Sequence, residues 1–287
     1  MPKPLVSVRL MVYNNEPYIK ETIEGILMQK TDFLVEVVVG DDFSEDRTPS
    51  IIKEYKNTDN IYFNILQREV GGEYWTERKK LGRLYNFINI VDNCEGKYIA
   101  LLDGDDYWTD SLKLQKQVDF MEANTNYNYC GHKSSRSFKG AITKMPLEIA
   151  EFSFKELVFK NCLNSATLFF RKSAIQNIPD YFTSISTGDW ALQLIAIRNS
   201  KAFVLEDYMS VYREHEQGLW SSMGNEEKCM RGVKMLETFK EFYPDKHSHK
   251  LIKSAILERK KTFGLIKKSF LNKLLFKIKS KLKKTFS

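Results

Sequence analysis

Three carboxylates are crowded into one short turn of this chain. Asp103, Asp105 and Asp106 follow an apolar run, Tyr98–Leu102, which predicts a buried strand. Neighbouring carboxylates repel each other, so packing alone rarely explains such a group. A divalent cation that shares its site with a phosphate ligand would explain it, because hard cations prefer carboxylate oxygens. The alternative is a solvated acidic turn without a ligand, which for an isolated turn is the commoner case.

Two more groups of polar residues follow predicted strands. Tyr13–Glu16 ends the strand that is predicted over Leu5–Tyr13, and Asp41–Asp42 follows the strand predicted over Leu34–Val39. The carboxyl ends of parallel strands meet at one edge of a sheet, and open α/β sheets bind their ligands there. The three groups together therefore predict an acidic cleft suited to a metal-bound nucleotide.

Strands alternate with helices through the first part of the chain, which indicates right-handed crossovers and a mostly parallel sheet. Besides the three strands above, the pattern predicts a strand over Ile61–Leu66 and helices from Ile19 to Leu27, from Thr48 towards Tyr55, over Leu81–Val91 and over Leu112–Met121. Beyond Asn124 the alternation stops. The elements predicted there are helices over Phe152–Phe159, Asp189–Arg198, Glu226–Phe242 and Lys250–Ser269, strands over Ala166–Arg171, Ala202–Leu205 and Met209–Tyr212, and a mobile loop over Gly218–Gly224.

Net charge and cysteine usage argue against several classes of protein. The chain has 287 residues and a net charge of +7, but eight lysines and no acidic residue lie between Leu265 and Ser287. Without that tail the net charge is −1, whereas nucleic-acid enzymes usually spread basic residues over the substrate face, so we expect no nucleic-acid partner. Four dispersed cysteines without a C-x-x-C pair favour a reducing compartment, and we expect no signal peptide and no membrane span.

Five segments, in order, resemble the glycosyltransferases of family 2, which have the GT-A fold. The opening strand V-S-V-R-L-M-V-Y-N (6–14), the turn G-D-D-F-S-E-D-R-T (40–48) and the D-x-D segment G-K-Y-I-A-L-L-D-G-D-D-Y-W (96–108) resemble the donor half of that family. T-G-D-W-A-L (187–192) and Y-R-E-H (212–215) resemble its acceptor-side acid and its late donor-site motif.

The resemblance implies an α/β fold, in which a Rossmann-like, mostly parallel sheet is flanked by helices, with a smaller acceptor-side region and a C-terminal helical tail. It divides the chain into a nucleotide-sugar binding half (1–123), an acceptor-side half of the same catalytic domain (124–224) and C-terminal helices (225–287). The contacts it implies are Tyr13, Glu16, Asp42, Asp103 and Arg213 to the nucleotide, and Asp103, Asp105 and His215 to Mn²⁺ or Mg²⁺.

The resemblance also implies roles on the acceptor side. Asp189 would be the general base that deprotonates the acceptor hydroxyl. Trp190 would stack on a sugar of the acceptor, or else be an ordinary core tryptophan. Asp106 is expected to orient or cap the next helix. The family often has an Asn before a Gly after the third strand, and here Q-R-E-V-G-G (67–72) departs from that pattern, so Arg83 is the remaining candidate for the donor-side basic residue.

The implied reaction is the inverting transfer of a sugar, UDP-sugars being favoured, to a hydroxyl of a glycan or lipid-linked acceptor in surface polysaccharide synthesis. A single base opposite the leaving diphosphate gives inversion, and no separate nucleophile is evident. Two alternatives remain. A sugar nucleotidyltransferase would have a Gly-rich, basic phosphate loop where Tyr13–Glu16 stands, and a membrane-docked, non-catalytic binding protein would not need its acids together.

Apolar residues recur every three or four positions in the C-terminal tail, with lysines between them: Phe263, Ile266, Phe270, Leu274, Ile278 and Leu282. This pattern predicts a basic amphipathic helix on an anionic membrane surface. A helix docked on the body of the protein and a solvated basic end are the alternatives. We expect a cytoplasmic protein, peripheral at the inner face of the cell membrane. The sequence leaves the oligomeric state open.

Overall fold

A single ten-stranded sheet organises the chain, whose computed structural model describes residues 2–185, 187–198, 200–243 and 245–265. The strands are β1 Val6–Val12, β2 Val35–Asp41, β3 Ile61–Ile65, β4 Tyr98–Asp103, β5 Tyr107–Trp108, β6 Tyr127–Phe138, β7 Ala141–Lys144, β8 Glu151–Phe152, β9 Phe169–Arg171 and β10 Lys201–Glu214. The helices are α1 Ile19–Leu27, α2 Thr48–Glu54, α3 Glu73–Leu81, α4 Leu84–Asp92, α5 Lys113–Ala123, α6 Phe154–Phe159, α7 Lys172–Ile175, α8 Gly188–Ala196, α9 Asn225–Phe242 and α10 Lys246–Thr262.

The first half of the sheet is parallel, as the sequence predicts. The strand order is β3-β2-β1-β4, and Met11 of β1 stands opposite both Gly40 of β2 and Asp103 of β4. The ends of these three strands therefore lie side by side. A Cβ atom at Gly104, in the acidic turn, would lie 2.6 Å from the Asn15 side chain, so only glycine lets the two strand ends approach this closely.

The second half of the sheet is mixed and is more regular than predicted. β9 is antiparallel to β4 and β6, β10 is parallel to β6, and β5 is antiparallel to β10. Two short strands were expected over 202–212, but β10 is one long strand whose register shifts at Leu205–Tyr208 and at Tyr208–Ser210. β10 runs in the same direction as β4, because it is parallel to β6 and both β6 and β4 are antiparallel to β9. Its last residue, Glu214, therefore lies at the same sheet edge as the ends of β1, β2 and β4.

Buried side chains form a core on each face of the sheet. One contains α1 and α5 with β1, and the other contains α4, α6 and α8 together with apolar residues of α9 and α10. The C-terminal helices thus share a core with the region around α8, and the division of the chain at 123 and 224 stays a prediction. In the described ranges, no helix is both long enough and apolar enough to cross a membrane.

The last helix is shorter than predicted. α10 ends at Thr262, where the Leu265 backbone N–H donates to the Lys260 carbonyl at 2.8 Å, whereas the sequence predicts a helix as far as Ser269. The predicted membrane-surface helix falls mainly on 266–287, which lie outside the described residues. Of its apolar stripe, only Phe263 is described, and it packs against the core around α8 and α10.

Candidate active site

The acidic turn after β4 is held by an arginine from within the sheet. Arg9 of β1 is fully buried, and its Nη1 donates to Asp103 Oδ1 at 2.8 Å. Arg9 pairs with Leu101 in the sheet register, so its side chain lies on the same face as that of Asp103. The Asp103 side chain stays 28% exposed, and the arginine fixes it at the entrance to the cleft.

Asp105 faces the histidine that follows β10. Its Oδ2 lies 3.1 Å from His215 Nε2, and the imidazole packs against the Tyr18 ring with centroids 4.6 Å apart. Nδ1 of His215 is buried and has no hydrogen-bond partner in the part of the chain that the structure describes. A carboxylate and an imidazole from two distant segments, 110 residues apart, therefore converge at this point.

Asp106 and Arg213 hold the turn rather than face the cleft. Asp106 is 2% exposed, its Oδ1 accepts the Arg213 backbone N–H at 2.8 Å, and its carbonyl accepts the Thr22 hydroxyl at 2.7 Å. Burial, and next the charge of Asp105, raise the pKa of Asp106 well above its usual range. The Arg213 guanidinium donates to the Asp105 carbonyl at 2.6 Å and to the Glu21 carboxylate, so it braces the acidic turn.

On the other side of β1, Asp42 is locked to an arginine. Arg78 Nε donates to Asp42 Oδ1 at 2.8 Å and Arg78 Nη2 to Oδ2 at 2.6 Å. Arg78 belongs to α3, a helix with no fully buried residue, which was not predicted from the sequence. The Asp42 backbone N–H donates to the Val12 carbonyl at 3.0 Å, which fixes this end of β2 next to β1.

Glu16 also faces an arginine, but at the surface. Its carboxylate accepts the Arg47 backbone N–H at 2.9 Å and Arg47 Nε at 2.8 Å. These hydrogen bonds lower the pKa of Glu16. Tyr13, at the end of β1, is 55% exposed, and both residues lie beside the strand end that the sequence places in the cleft.

Asp189 enters the cleft from the second half of the fold, in the first turn of α8. Its Oδ2 accepts Asn161 Nδ2 at 2.9 Å, and Asn161 in turn accepts Gln193 Nε2 at 3.0 Å. Burial is the main cause that raises the pKa of Asp189, and the charge of Asp103 raises it further. The Trp190 backbone N–H, the Asn161 amide and the charge of Arg83 lower it by less.

Arg83 interacts electrostatically with carboxylates from both halves of the chain. It precedes the first residue of α4, and burial lowers its pKa while the charges of Asp103 and Asp189 raise it. The charge of Asp103 likewise raises the pKa of Asp189. The three side chains therefore lie in the same part of the fold, although 86 residues separate the two acids in sequence.

Residues 7–186 match the family described as Glycosyl transferase family 2. The match covers well over half of the chain and includes both Asp42 and the acidic turn. The chain is a family 2 glycosyltransferase.

Individual glycosyltransferases resemble the chain in sequence or in fold. The putative teichuronic acid biosynthesis glycosyltransferase TuaG of Bacillus subtilis is 33% identical over 45% of this chain and 47% of its own. The crystal structure of S. aureus TarS 1–349 in complex with UDP-GlcNAc matches with a TM-score of 0.65 at 20% identity, over 90% of this chain and 73% of that one. The mannosyltransferase PcManGT from Pyrobaculum calidifontis, in complex with GDP-Man and Mn²⁺, matches with a TM-score of 0.60 at 16% identity, over 90% and 73%. The GT-A fold predicted from the sequence is confirmed.

Trp190 of this glycosyltransferase belongs to the core and not to the cleft. It is 2% exposed, and its Nε1 donates to the Leu157 carbonyl at 2.9 Å. The Arg259 guanidinium covers its ring at 5.1 Å. No face of the indole is left for a sugar. Trp190 is therefore a core tryptophan, and the predicted contact with the acceptor is wrong.

Four residues that hold site carboxylates were not found from the sequence: Arg9, Arg47, Arg78 and Asn161. Arg9 gave a usable signal, because a charged residue inside the apolar strand 6–12 must find a buried partner. Arg78 and Asn161 gave none, since both lie in polar segments and meet their partners only through tertiary folding.

Proposed function

We propose that this glycosyltransferase transfers a sugar from a nucleotide-sugar, UDP-sugars being favoured, to a hydroxyl group of a glycan or lipid-linked acceptor, with inversion at the anomeric carbon. One observation carries the proposal. Asp189, in the first turn of α8, is held by the Asn161 amide at 2.9 Å, and it lies near enough to Asp103 of the acidic turn for that charge to raise its pKa. A base and a diphosphate-binding turn on opposite sides of one cleft are what a single displacement requires.

In the proposed step, the Asp189 carboxylate takes the proton of the acceptor hydroxyl. The oxygen forms a bond to the anomeric carbon while the bond from that carbon to the diphosphate oxygen breaks. The Asn161 amide orients the base through its 2.9 Å hydrogen bond, and Arg83 offers positive charge to the side where negative charge develops.

Asp105 and His215 fit a divalent cation. Asp105 Oδ2 and His215 Nε2 already face each other. Because Nδ1 of His215 is buried, Nε2 is the ring nitrogen that a cation could reach. Within the described residues no group of three or more His, Cys, Asp or Glu side chains is arranged for a metal, so Asp103 is not proposed as a third metal ligand beside Asp105 and His215. Two protein ligands suit a cation whose remaining sites go to diphosphate oxygens, as is common for Mg²⁺. The imidazole favours Mn²⁺ of the two candidates. The bound cation would neutralise charge on the leaving diphosphate.

Asp42 is proposed to accept an N–H of the nucleobase, since a carboxylate is an acceptor for a uracil or guanine N–H. Arg78 orients this carboxylate. Glu16 and the exposed Tyr13 are proposed as further nucleotide contacts beside it, and Asp103 as the ribose contact. A UDP-sugar is favoured because TarS, the solved structure with the higher TM-score of the two, holds UDP-GlcNAc, although PcManGT holds GDP-Man. We assign Arg213 a positioning role, bracing the turn that holds Asp105.

The acceptor is proposed to be a growing surface polysaccharide, which the similarity to TuaG, a putative teichuronic acid biosynthesis glycosyltransferase, supports. Residues 1–123 are proposed to bind the donor and 124–224 the acceptor. We also propose that the protein acts in the cytoplasm at the inner face of the membrane, with the eight lysines of 265–287 drawn to anionic lipid.

A panel of nucleotide-sugars tests the proposal, with release of nucleoside diphosphate as the readout. We expect one UDP-sugar to give metal-dependent release that the acceptor accelerates, and we expect the product to have the inverted anomeric configuration by NMR. Retained configuration would contradict Asp189 as the only base. Release of inorganic diphosphate, with formation of a nucleotide-sugar, would indicate the nucleotidyltransferase alternative instead.

A further inference from the structure

The β6–β7 hairpin carries apolar side chains that nothing in the described structure covers. Phe138 is 50% exposed, Ile142 59% and Met145 37%, and all four residues of β7 are exposed. Lys139 and Gly140 both have positive φ, at 48° and 83°, which is the tight two-residue turn that joins twisted antiparallel strands. The hairpin therefore presents its apolar residues from a well-defined tip.

The same hairpin is basic. Lys133–Met145 contains four basic residues and no acidic one. Lys133 donates to Glu206, and Arg136 lies 3.7 Å from Glu214, whereas Lys139 lies beside the Phe138 ring at the tip and Lys144, at the other end of β7, lies beside the Tyr208 ring. Exposed apolar side chains and lysines therefore occur together along the hairpin. A basic, apolar surface of this kind matches an anionic lipid bilayer in both charge and polarity.

The position of the hairpin relates this surface to the cleft. Phe138 is the register partner of Glu214, the last residue of β10, and His215 follows directly. The next loop folds back on His215 through the Ser221 hydroxyl, and it carries Leu219 and Trp220, which are 47% and 38% exposed. The hairpin and the loop with Leu219 and Trp220 thus both expose apolar side chains near His215, the proposed metal ligand. Tryptophan is enriched at the membrane interface, which agrees with a lipid-facing loop.

We propose that the β6–β7 hairpin inserts into the surface of an anionic bilayer and turns the mouth of the cleft towards the lipid. A bilayer is favoured over a soluble glycan because residues 138–146 are all exposed and form a projecting tip, whereas glycan and small-molecule sites are concave. It is favoured over a second copy of the chain because like-charged tips would repel each other. The proposal is independent of the C-terminal tail and of the catalytic roles given above.

Hydrogen exchange on the full-length protein tests the hairpin separately from the tail. Peptides that cover residues 133–146 are followed with phosphatidylcholine vesicles, with and without about 30% phosphatidylglycerol, at matched lipid concentration. We expect the amides at the hairpin tip to exchange more slowly only with the anionic vesicles. Unchanged exchange while the protein sediments with those vesicles would overturn the proposal, because binding would then run through other residues.

Variants of the hairpin provide a second test. Phe138→Thr combined with Ile142→Thr keeps β propensity and removes the apolar side chains of the tip. Lys139→Ala combined with Lys144→Ala removes two of the four basic residues of the hairpin. We expect each pair to weaken partition to anionic vesicles about tenfold or more. The matched controls, Leu112→Thr and Lys53→Ala with Lys56→Ala, alter exposed residues elsewhere and should leave partition unchanged. Transfer to a short soluble acceptor should persist in every variant.

Three other results would overturn the proposal. Equal loss of partition in the controls would mean that any surface change of this size weakens binding. Protection of the hairpin by a soluble acceptor glycan without lipid would identify an acceptor site. Protection that rises with protein concentration alone would identify an interface between two copies of the chain.

Discussion

Carboxylates on the two sides of the cleft have partners of different kinds. On the β2 side, Asp42 and Glu16 each accept hydrogen bonds from one arginine residue. On the side of β4 and α8, Asp103 is also held by an arginine, but Asp105 faces an imidazole and Asp189 faces an amide. The guanidinium group stays charged at any ordinary pH, whereas an imidazole can lose its proton and an amide carries no charge.

These different partners indicate which carboxylates bind the donor and which one exchanges a proton. A carboxylate beside arginine is held ionised, as the lowered pKa of Glu16 shows, and it can recognise a ligand but cannot exchange protons near neutral pH. A carboxylate that is buried beside an amide has a raised pKa, as Asp189 does, and is better matched to proton transfer. Asp189, whose side-chain hydrogen-bond partner is an amide and not a guanidinium, is therefore the carboxylate at which we place the proton transfer.

Removing the proposed base should give the largest effect. Asp189→Asn keeps the size of the side chain and the contact with Asn161 but cannot accept a proton, so we expect transfer to slow about a hundredfold to ten-thousandfold. Affinity for UDP, measured by calorimetry, should not change. Asp180→Asn, at an exposed acid of the same half, is the matched control. A normal rate in Asp189→Asn would show that another group is the base.

The pH profile sharpens the same test. A base works only when ionised, so transfer should fall as the pH drops through the pKa of Asp189. Burial raises that pKa, and the acidic limb should therefore lie at higher pH than for an ordinary aspartate, whose pKa is about 3.9. The rate that remains in Asp189→Asn should lack this limb. An identical limb in the variant would assign it to a different group.

Breaking the proposed metal site should have the next largest effect. Asp105→Ala removes the carboxylate that faces His215, and we expect the increase in UDP affinity that Mn²⁺ provides to fall about tenfold to a hundredfold. Calorimetric titration of UDP with and without Mn²⁺ measures this difference. Asp119→Ala, an exposed acid on α5, should behave like the unmodified protein. Equal UDP affinity with and without Mn²⁺ in the unmodified protein would remove the metal from the proposal.

Breaking the ion pair of Asp42 should have a moderate effect. Arg78→Gln removes three charge-assisted hydrogen bonds at a partly buried site, and we expect the donor KM to rise about tenfold with kcat less affected. Lys80→Gln, at an exposed lysine of the same helix, controls for the loss of positive charge. If Arg78 acts only through Asp42, Arg78→Gln should change little in an Asp42→Asn background. Full additivity of the two changes would show that Arg78 contacts the donor itself.

The parallel half of the fold was predictable because three of its four strands, β1, β2 and β4, are buried on both faces. Val6–Val12 and Tyr98–Asp103 are apolar runs that end in polar turns, and such runs define both the strand and its carboxyl end. The placement of the acidic turn beside Asp42 follows from that topology alone. Asp103, Asp105 and Asp42 could therefore be named from the sequence.

The rest of the sheet could not be predicted in the same way. The outer part of β6 is the polar sequence K-S-S-R-S-F, and β10 changes register around Glu206–Asp207, so neither shows a continuous apolar pattern. Helix α3 has no buried residue, so it lacks the apolar stripe by which helices are recognised. The partners of Asp42 and Asp189, at 36 and 28 residues' separation, depend on how these weakly patterned segments pack.

The exposed ion pair should show the smallest effect, and it tests whether the two arginine-bound carboxylates are equivalent. Arg47 has a side chain that is 77% exposed, whereas the Arg78 side chain is 24% exposed. Solvent screens a surface pair and its formation costs side-chain entropy, so such pairs contribute little to stability. We expect Arg47→Gln to leave the melting temperature unchanged and the donor KM within about twofold, at low and at high salt. The variant keeps the backbone N–H that donates to Glu16, so that carboxylate should hold its place. A tenfold rise in the donor KM would mean that Glu16 must be oriented as strictly as Asp42. The exposed ion pair would then contribute to donor binding as much as the partly buried one.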